Sequence, residues 1–281
     1  MELDTGRPIA VLGAGTLGRR IALMFASQGG AVRVCDRSAD QRDDAAEYIQ
    51  KRLPRLLESV TDSAPADLEL TEDLATAVAD TWLVVESLPE NLAIKRPVFA
   101  DLDRLAPPQA ILATNSSSYP SSTLVDSVSK PERLLNLHFF MPPGVRACEL
   151  MSCGRTSDEL LEAFAGLLPR YGLAPFVARR ESLGFIQNRI WAAIKREALA
   201  VAAEGVAEPE EIDRLYSMVF GTSAGPFRMM DSVGLDVVLD IEEHYAAERT
   251  GIPEEPRRLL REYIADGRLG AKTKRGFYND Y

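Results

Sequence analysis

Only two histidines, His138 and His244, occur among 281 residues. His138 sits in Leu-Asn-Leu-His-Phe-Phe, at the end of an apolar run over 133–139 that reads as a buried strand. In an open parallel sheet, ligands bind beyond the carboxyl ends of the strands, so a histidine there faces the ligand. Imidazole titrates near neutrality and suits reversible proton exchange with a hydroxyl. Glu149 lies on the next strand, in Ala-Cys-Glu-Leu-Met, among apolar neighbours. A carboxylate so placed needs a partner, and pairing with His138 would orient the ring and stabilise its protonated form. The turn Asn115-Ser116-Ser117-Ser118 follows a strand at 110–114 and offers hydrogen-bond donors for a substrate oxygen. His244, in Ile-Glu-Glu-His-Tyr, reads as a solvated helix residue. Together these groups suit removal of a hydroxyl proton, the half of an alcohol oxidation that a protein side chain performs.

The other half needs a hydride acceptor, and the N-terminus offers a place for one. Gly13-Ala14-Gly15-Thr16-Leu17-Gly18 matches G-x-G-x-x-G, and it follows an apolar run at 8–12 and opens an amphipathic helix. That is the context in which the string binds a dinucleotide. Gly13 allows the tight turn, Gly15 lets backbone approach a pyrophosphate, and Gly18 lets the helix pack on the strand. Asp36 ends the second predicted strand, 31–35, eighteen residues after Gly18. A carboxylate there accepts hydrogen bonds from the ribose hydroxyls and repels a 2′-phosphate, which favours NAD, although the adjoining Arg37 is a residue that can accept such a phosphate.

These residues need a scaffold. Strand patterns at 8–12, 31–35, 82–86, 110–114, 133–139, 146–151 and 174–178 alternate with helical patterns at 39–60, 71–79, 92–105 and 157–171. Pro54 is expected to kink or break the first of these helices, and Thr61–Asp67 reads as loop. Alternation of this kind implies a mostly parallel sheet covered on both faces. After residue 180 the strand signals stop, and helical patterns run over 184–204, 208–219, 225–247 and 255–266. The expected fold is therefore α/β: a Rossmann-type, mostly parallel sheet domain over 1–181, followed by an all-helical C-terminal domain over 182–281.

Composition narrows the function classes. With 46% hydrophobic and 26% charged residues the chain suits a globular protein. A formal net charge of −10 argues against nucleic acid as a partner. No apolar stretch is long enough to span a bilayer and the N-terminus lacks a signal-peptide pattern, so no membrane association and a cytoplasmic location are expected. Three cysteines, Cys35, Cys148 and Cys153, give no disulfide framework, and no residue spacing suggests a metal site.

With these residues in view, the chain resembles the L-3-hydroxyacyl-CoA dehydrogenase family nearly end to end. Val-Val-Glu-Ser-Leu-Pro-Glu-Asn-Leu-Ala-Ile-Lys (84–95), Ala-Thr-Asn-Ser-Ser-Ser (113–118), Leu-His-Phe-Phe-Met-Pro-Pro (137–143), Ser-Leu-Gly-Phe-Ile-Gln-Asn-Arg-Ile (182–190), Gly-Pro-Phe-Arg-Met-Met-Asp-Ser-Val-Gly-Leu-Asp (225–236) and Ala-Lys-Thr-Lys-Arg-Gly-Phe-Tyr (271–278) resemble six family motifs in the family order. The resemblance implies that His138 is the catalytic base and Glu149 its carboxylate partner. It implies that Ser117 contacts the substrate oxygen and that Asn188 borders the reacting centre. It places Glu90 and Lys95 on the nicotinamide side of the cofactor site, with Asn115 close by. The implied reaction interconverts a 3-hydroxyacyl thioester and its 3-keto form with NAD, and the family implies a homodimer formed through the helical domain.

The chain also departs from the family pattern. Met141 stands where the family usually has asparagine, and Glu149 follows His138 by 11 residues, one fewer than is common. The helical region after the second strand, which in many members is longer and lysine-rich and helps to hold CoA, is short here. It keeps Lys51, Arg52 and Arg55 among Asp40, Asp43, Asp44, Glu47 and Glu58. The carrier of the acyl group could thus be CoA or an acyl carrier protein. Two other readings remain open at this point. One is an NAD-dependent dehydrogenase of a free hydroxy acid, such as a sugar acid or a carnitine-like substrate. The other is a catalytically silent NAD-binding protein, which would have no need of His138, Glu149, Ser117 and Asn188 together.

Overall fold

The computed structural model describes residues 3–281, which fall into two compact units, one ending at Ile186 and the other running from Gln187 to Tyr281. The first unit carries eight strands: β1 (Ile9–Leu12), β2 (Ala31–Cys35), β3 (Asp67–Thr71), β4 (Leu83–Glu86), β5 (Ile111–Thr114), β6 (Leu134–Phe139), β7 (Ala147–Ser152) and β8 (Ala174–Ala178). They form one sheet in the order β3-β2-β1-β4-β5-β6-β7-β8. Every neighbouring pair is parallel except β6 with β7. The crossovers between parallel strands include helices α1 (Gly18–Phe25), α2 (Ala39–Leu57), α3 (Leu74–Val78), α4 (Leu92–Leu105) and α5 (Asp158–Leu167).

The central strands are apolar at nearly every position because both sheet faces are covered. Along β1, Ile9 and Val11 join a core with Ile21 and Phe25 of α1, Ile49 of α2 and Phe164 of α5. Ala10 and Leu12 turn to the other face and pack with Phe99 and Leu102 of α4. This two-sided burial sets the strand ends in fixed register, and it is the ends that carry the polar residues.

Sequence and structure differ in four places. β3 lies where 61–67 reads as loop and 71–79 as helix. Asp67, Leu68, Glu69, Leu70 and Thr71 form an edge strand with no fully buried residue, so it lacks the apolar signal of a central strand. α2 runs on through Pro54 for three residues rather than breaking there. Proline there forfeits the one bond that an amide at 54 would donate to the carbonyl of residue 50, and the helix ends within a turn of it. The helix expected over 225–247 is two, α8 (Pro226–Val233) and α9 (Leu235–Glu248), divided at Gly234 with φ +106°. The helix expected from 184 starts at Gln187, because Gly184 and Phe185 have φ of +73° and +53°.

The second unit consists of α6 (Gln187–Ala203), α7 (Pro209–Phe220), α8, α9 and α10 (Glu255–Ala265). Its core gathers Leu199, Phe227, Met230, Leu235, Val238, Leu260 and Phe277. Asp231, fully buried, accepts hydrogen bonds from the Phe277 and Tyr278 amides at 3.0 and 2.9 Å and from the Tyr281 hydroxyl at 2.7 Å. Among the described residues no helix is long and apolar enough to cross a membrane.

Candidate active site

The Gly-rich turn joins β1 to α1, and each of its glycines has a different geometry. Gly13 has φ +94°, and a Cβ there would lie 2.5 Å from the Ser87 carbonyl oxygen. A Cβ on Gly18 would lie 1.8 Å from the Gly13 carbonyl oxygen, so that glycine is required by the turn itself. Gly15 is different: a Cβ built on it meets only Gln41 Oε1, at 4.0 Å. The protein leaves that space open, which fits a dinucleotide pyrophosphate lying against the backbone. Thr16 and Leu17 complete the turn into α1, with Thr16 exposed. Asp36, just past the end of β2, accepts hydrogen bonds from the Ala14 amide at 2.8 Å and the Ser38 amide at 2.9 Å. Its carboxylate is thereby fixed beside the turn, while Arg37 is exposed.

At the neighbouring strand ends a second acidic group is closed off. Glu86, the last residue of β4, is fully buried and accepts from Lys95 Nζ at 2.7 Å, the Leu88 amide at 2.6 Å and the Thr114 hydroxyl at 2.7 Å. Lys95, 1% exposed, also reaches Glu90 at 3.3 Å. Lys95 therefore lies beneath the surface, and Glu90 is the exposed member of the network. Glu90 accepts hydrogen bonds from the Ser116 hydroxyl and, at 2.9 Å, from the Ser118 amide. Partial burial pushes the Glu90 carboxyl up, but the Ser116 hydroxyl, the Lys95 charge and the Ser118 amide outweigh it and hold the group below the ordinary glutamate range. Glu86 and Thr114 take part in this network without having been singled out from the sequence, and the Ser116 hydroxyl and Ser118 amide, read there as donors for a substrate oxygen, are committed to Glu90 instead. The one signal for Glu86 is an acid closing the apolar strand Leu-Val-Val-Glu, which must find a cation.

Asn115 follows β5 and ties it to the next strand, its side-chain carbonyl accepting from the Phe139 amide at 2.9 Å. That bond grips β6 one residue beyond His138. β6 and β7 are antiparallel, and their register sets His138 directly opposite Glu149. Nδ1 of His138 lies 3.2 Å from Glu149 Oε2, with both side chains buried. The second Glu149 oxygen accepts from the Ile186 amide at 3.0 Å. The rings of Phe140 and Phe185 stand 4.6 and 5.3 Å from the imidazole. Nε2 makes no hydrogen bond among the described residues, and neither does the Ser117 hydroxyl. Met141 is 47% exposed with φ +38°. Asn188 lies in the first turn of α6, in the second unit.

The first unit thus sets, along one sheet edge, an open glycine turn with a carboxylate beside it and a histidine with one committed and one uncommitted nitrogen. Sequence comparison meets this geometry from a different side. The profile of the 3-hydroxyacyl-CoA dehydrogenase NAD-binding domain matches residues 8–182, and that of the 3-hydroxyacyl-CoA dehydrogenase C-terminal domain matches residues 184–280. A probable 3-hydroxybutyryl-CoA dehydrogenase of Deinococcus radiodurans is 34% identical, over 95% of this chain and 98% of its own. One of Bacillus subtilis is 32% identical, over 97% of each chain. Among solved structures, the (S)-3-hydroxybutyryl-CoA dehydrogenase PaaH1 from Ralstonia eutropha superposes with a TM-score of 0.84 at 29% identity, covering 97% of this chain and 98% of its own. With both domains matched in order and almost no residue left over, this chain belongs to the 3-hydroxyacyl-CoA dehydrogenase family.

Proposed function

We propose that the chain interconverts a 3-hydroxyacyl thioester and its 3-ketoacyl form, with His138 exchanging the proton. The observation that carries this is the asymmetry of the imidazole: Nδ1 is held by buried Glu149 and Nε2 has no partner among the described residues. When bound, NAD supplies the acceptor for the hydride that leaves C3 of the substrate. In the oxidative direction Nε2 takes the C3 hydroxyl proton, and the C–O bond becomes the ketone as the C3–H bond breaks. The imidazolium so formed is stabilised by Glu149 across the strand pair. In reduction the same nitrogen returns the proton. Ser117, whose hydroxyl has no partner among the described residues, donates to the substrate oxygen as charge develops there, and the family resemblance assigns Asn188 the same task. Gly13, Gly15, Thr16, Leu17 and Gly18 form the pyrophosphate turn, with Asp36 on the ribose and Arg37 beside it. Glu90 and Asn115 border the nicotinamide end, with Lys95 acting through Glu90 from below.

The proposal extends to a homodimer in the cytoplasm. In support, α7 exposes Leu215, Met218, Val219 and Phe220 at 65 to 75%, a contiguous apolar face of the kind that a protein partner covers. The sparse, odd cysteine set suits a reducing compartment. A free hydroxy acid as substrate has less support, since the relatives named above are described as acting on CoA thioesters. The test is oxidation of NADH by the purified protein with acetoacetyl-CoA, acetoacetyl-pantetheine and free acetoacetate. Turnover of a thioester but not of the free acid is expected. Turnover of the free acid alone would overturn the thioester assignment.

A further inference from the structure

Among the described residues, five other than glycine have φ in the left-handed region: Asp62, Asp80, Met141, Phe185 and Lys274. Three of these are exposed polar residues in turns. The two apolar ones both adjoin the His138–Glu149 pair. Packing accounts for Phe185. It is 3% exposed, its ring stands beside the imidazole, and the next amide, that of Ile186, holds Glu149. No such packing accounts for Met141. Its φ of +38° is a conformation that asparagine or glycine adopts at less cost. It is also 47% exposed and, among the described residues, joins none of the apolar cores. An apolar side chain that the free protein keeps both strained and wet is one whose partner lies outside the chain.

Its position suits such a partner. Met141 lies two residues past the end of β6, at the carboxyl ends of the strands, where an open sheet binds ligands. The backbone there is fixed relative to His138. The Phe140 ring stands T-shaped to the imidazole at 4.6 Å, and Arg20 of α1 donates to the Pro142 carbonyl at 3.0 Å. The Val145 amide turns back to the Met141 carbonyl at 3.4 Å. Val145 and Ile186 are themselves exposed, so uncovered apolar side chains stand on both segments that touch the His138–Glu149 pair.

Building on the dehydrogenase reading above, we propose that Met141 contacts the apolar group beyond C3 of the substrate and makes the chain selective for 3-ketoacyl thioesters that run several carbons past that atom. The acetoacetyl group carries only a methyl there. Methionine suits the task, since its unbranched, polarizable side chain adapts to apolar groups of different shape. Exposure and strain then share one cause. The bound acyl chain covers the thioether, and a residue better suited to the backbone would lack that contact.

The experiment compares kcat/KM for acetoacetyl-CoA and 3-ketooctanoyl-CoA in wild type, Met141→Asn and Met141→Leu, with urea midpoints for all three. Wild type should favour the longer substrate, and Met141→Asn should cut that preference by about fourfold or more, the worth of one buried methylene. Met141→Leu keeps an apolar surface and should keep the preference. The urea midpoint of Met141→Asn should equal or exceed that of wild type, since asparagine suits the backbone. The proposal is overturned by an unchanged preference in Met141→Asn, by a loss shared equally by both substrates, or by a loss that Met141→Leu shares. A lowered midpoint in Met141→Asn overturns it too, because the fold itself would then hold Met141. In a second measurement, without cofactor, oxidation of Met141 by hydrogen peroxide is followed by peptide mass spectrometry. 3-Ketooctanoyl-CoA should suppress it and acetoacetyl-CoA should not, with exposed Met218 as internal reference. Should no thioester turn over in wild type, the dehydrogenase reading fails by itself, and the contact is judged on this protection: selective protection upholds it, and equal or absent protection overturns it.

Discussion

Two buried acid–base pairs, each anchored on the same sheet by its glutamate, are built to opposite ends. Glu86 and Lys95 are sealed, at 0 and 1% side-chain exposure, and Glu86 is further held by Leu88 and Thr114. His138 and Glu149 are almost as buried, at 7 and 2%, yet among the described residues the imidazole keeps one nitrogen without a partner. A closed pair fixes structure, since each of its polar side-chain atoms has a protein partner. An open pair can pass a proton, because the committed nitrogen sets the ring and the other is left for a ligand. Burial alone does not distinguish them; the accounting of hydrogen bonds does.

The sharpest way to break this comparison is to remove the open member. His138→Ala should lower the turnover of acetoacetyl-CoA by about 10³-fold, the usual worth of a positioned acid–base group, with NADH affinity kept. Retention of a large part of the wild-type rate in steady-state assays would assign proton exchange elsewhere. Removing half of the closed pair should instead act on the fold. Lys95→Met leaves Glu86 buried and unpaired, and urea unfolding should show a loss of about 3–5 kcal/mol. A variant as stable as wild type would mean that Glu86 finds another cation. Asp36→Ala should weaken NADH binding by about tenfold, the order of one or two lost hydrogen bonds to a charged group, and narrow the preference for NAD over NADP. Fluorescence titration with both cofactors reads this directly, and an unchanged preference would remove Asp36 from that role.

The smallest expected effect concerns Glu90, the exposed rim of the closed network. Its carboxyl is held below the ordinary value of 4.5, so its charged form contributes stability at pH values above that figure. The contribution should vanish as pH falls through the lowered folded-state value. Urea midpoints of wild type and Glu90→Gln should therefore differ at pH 6 and converge in acid, and a difference that persists in acid would refute the assignment.

Much of this arrangement was legible in the residues. The glycine string, Asp36 at a strand end and His138 at another are local patterns, and each depends on a strand buried on both faces. β3 was not legible, because Asp67 and Glu69 are exposed on an edge and leave too weak an apolar pattern. The division of α8 from α9 was missed because the helical period of the apolar residues continues across Gly234, and only its backbone angle breaks it. The Glu86 network was hidden for a further reason. Its members come from β4, α4 and β5, and nothing in spacing along the chain says that Thr114 stands beside Glu86, as the strand register makes it do.

The antiparallel pairing of β6 and β7 has an evolutionary consequence. The pairing of His138 with Glu149 is fixed by the ladder from Leu135 opposite Ser152 onward, not by the loop that joins the strands. The 11-residue interval can therefore gain or lose residues in the loop at 140–146 without disturbing the pair, whereas a one-residue slip of the ladder would turn one partner to the far face. The loop can thus change in length and sequence from one lineage to the next while the His138–Glu149 pair is inherited intact.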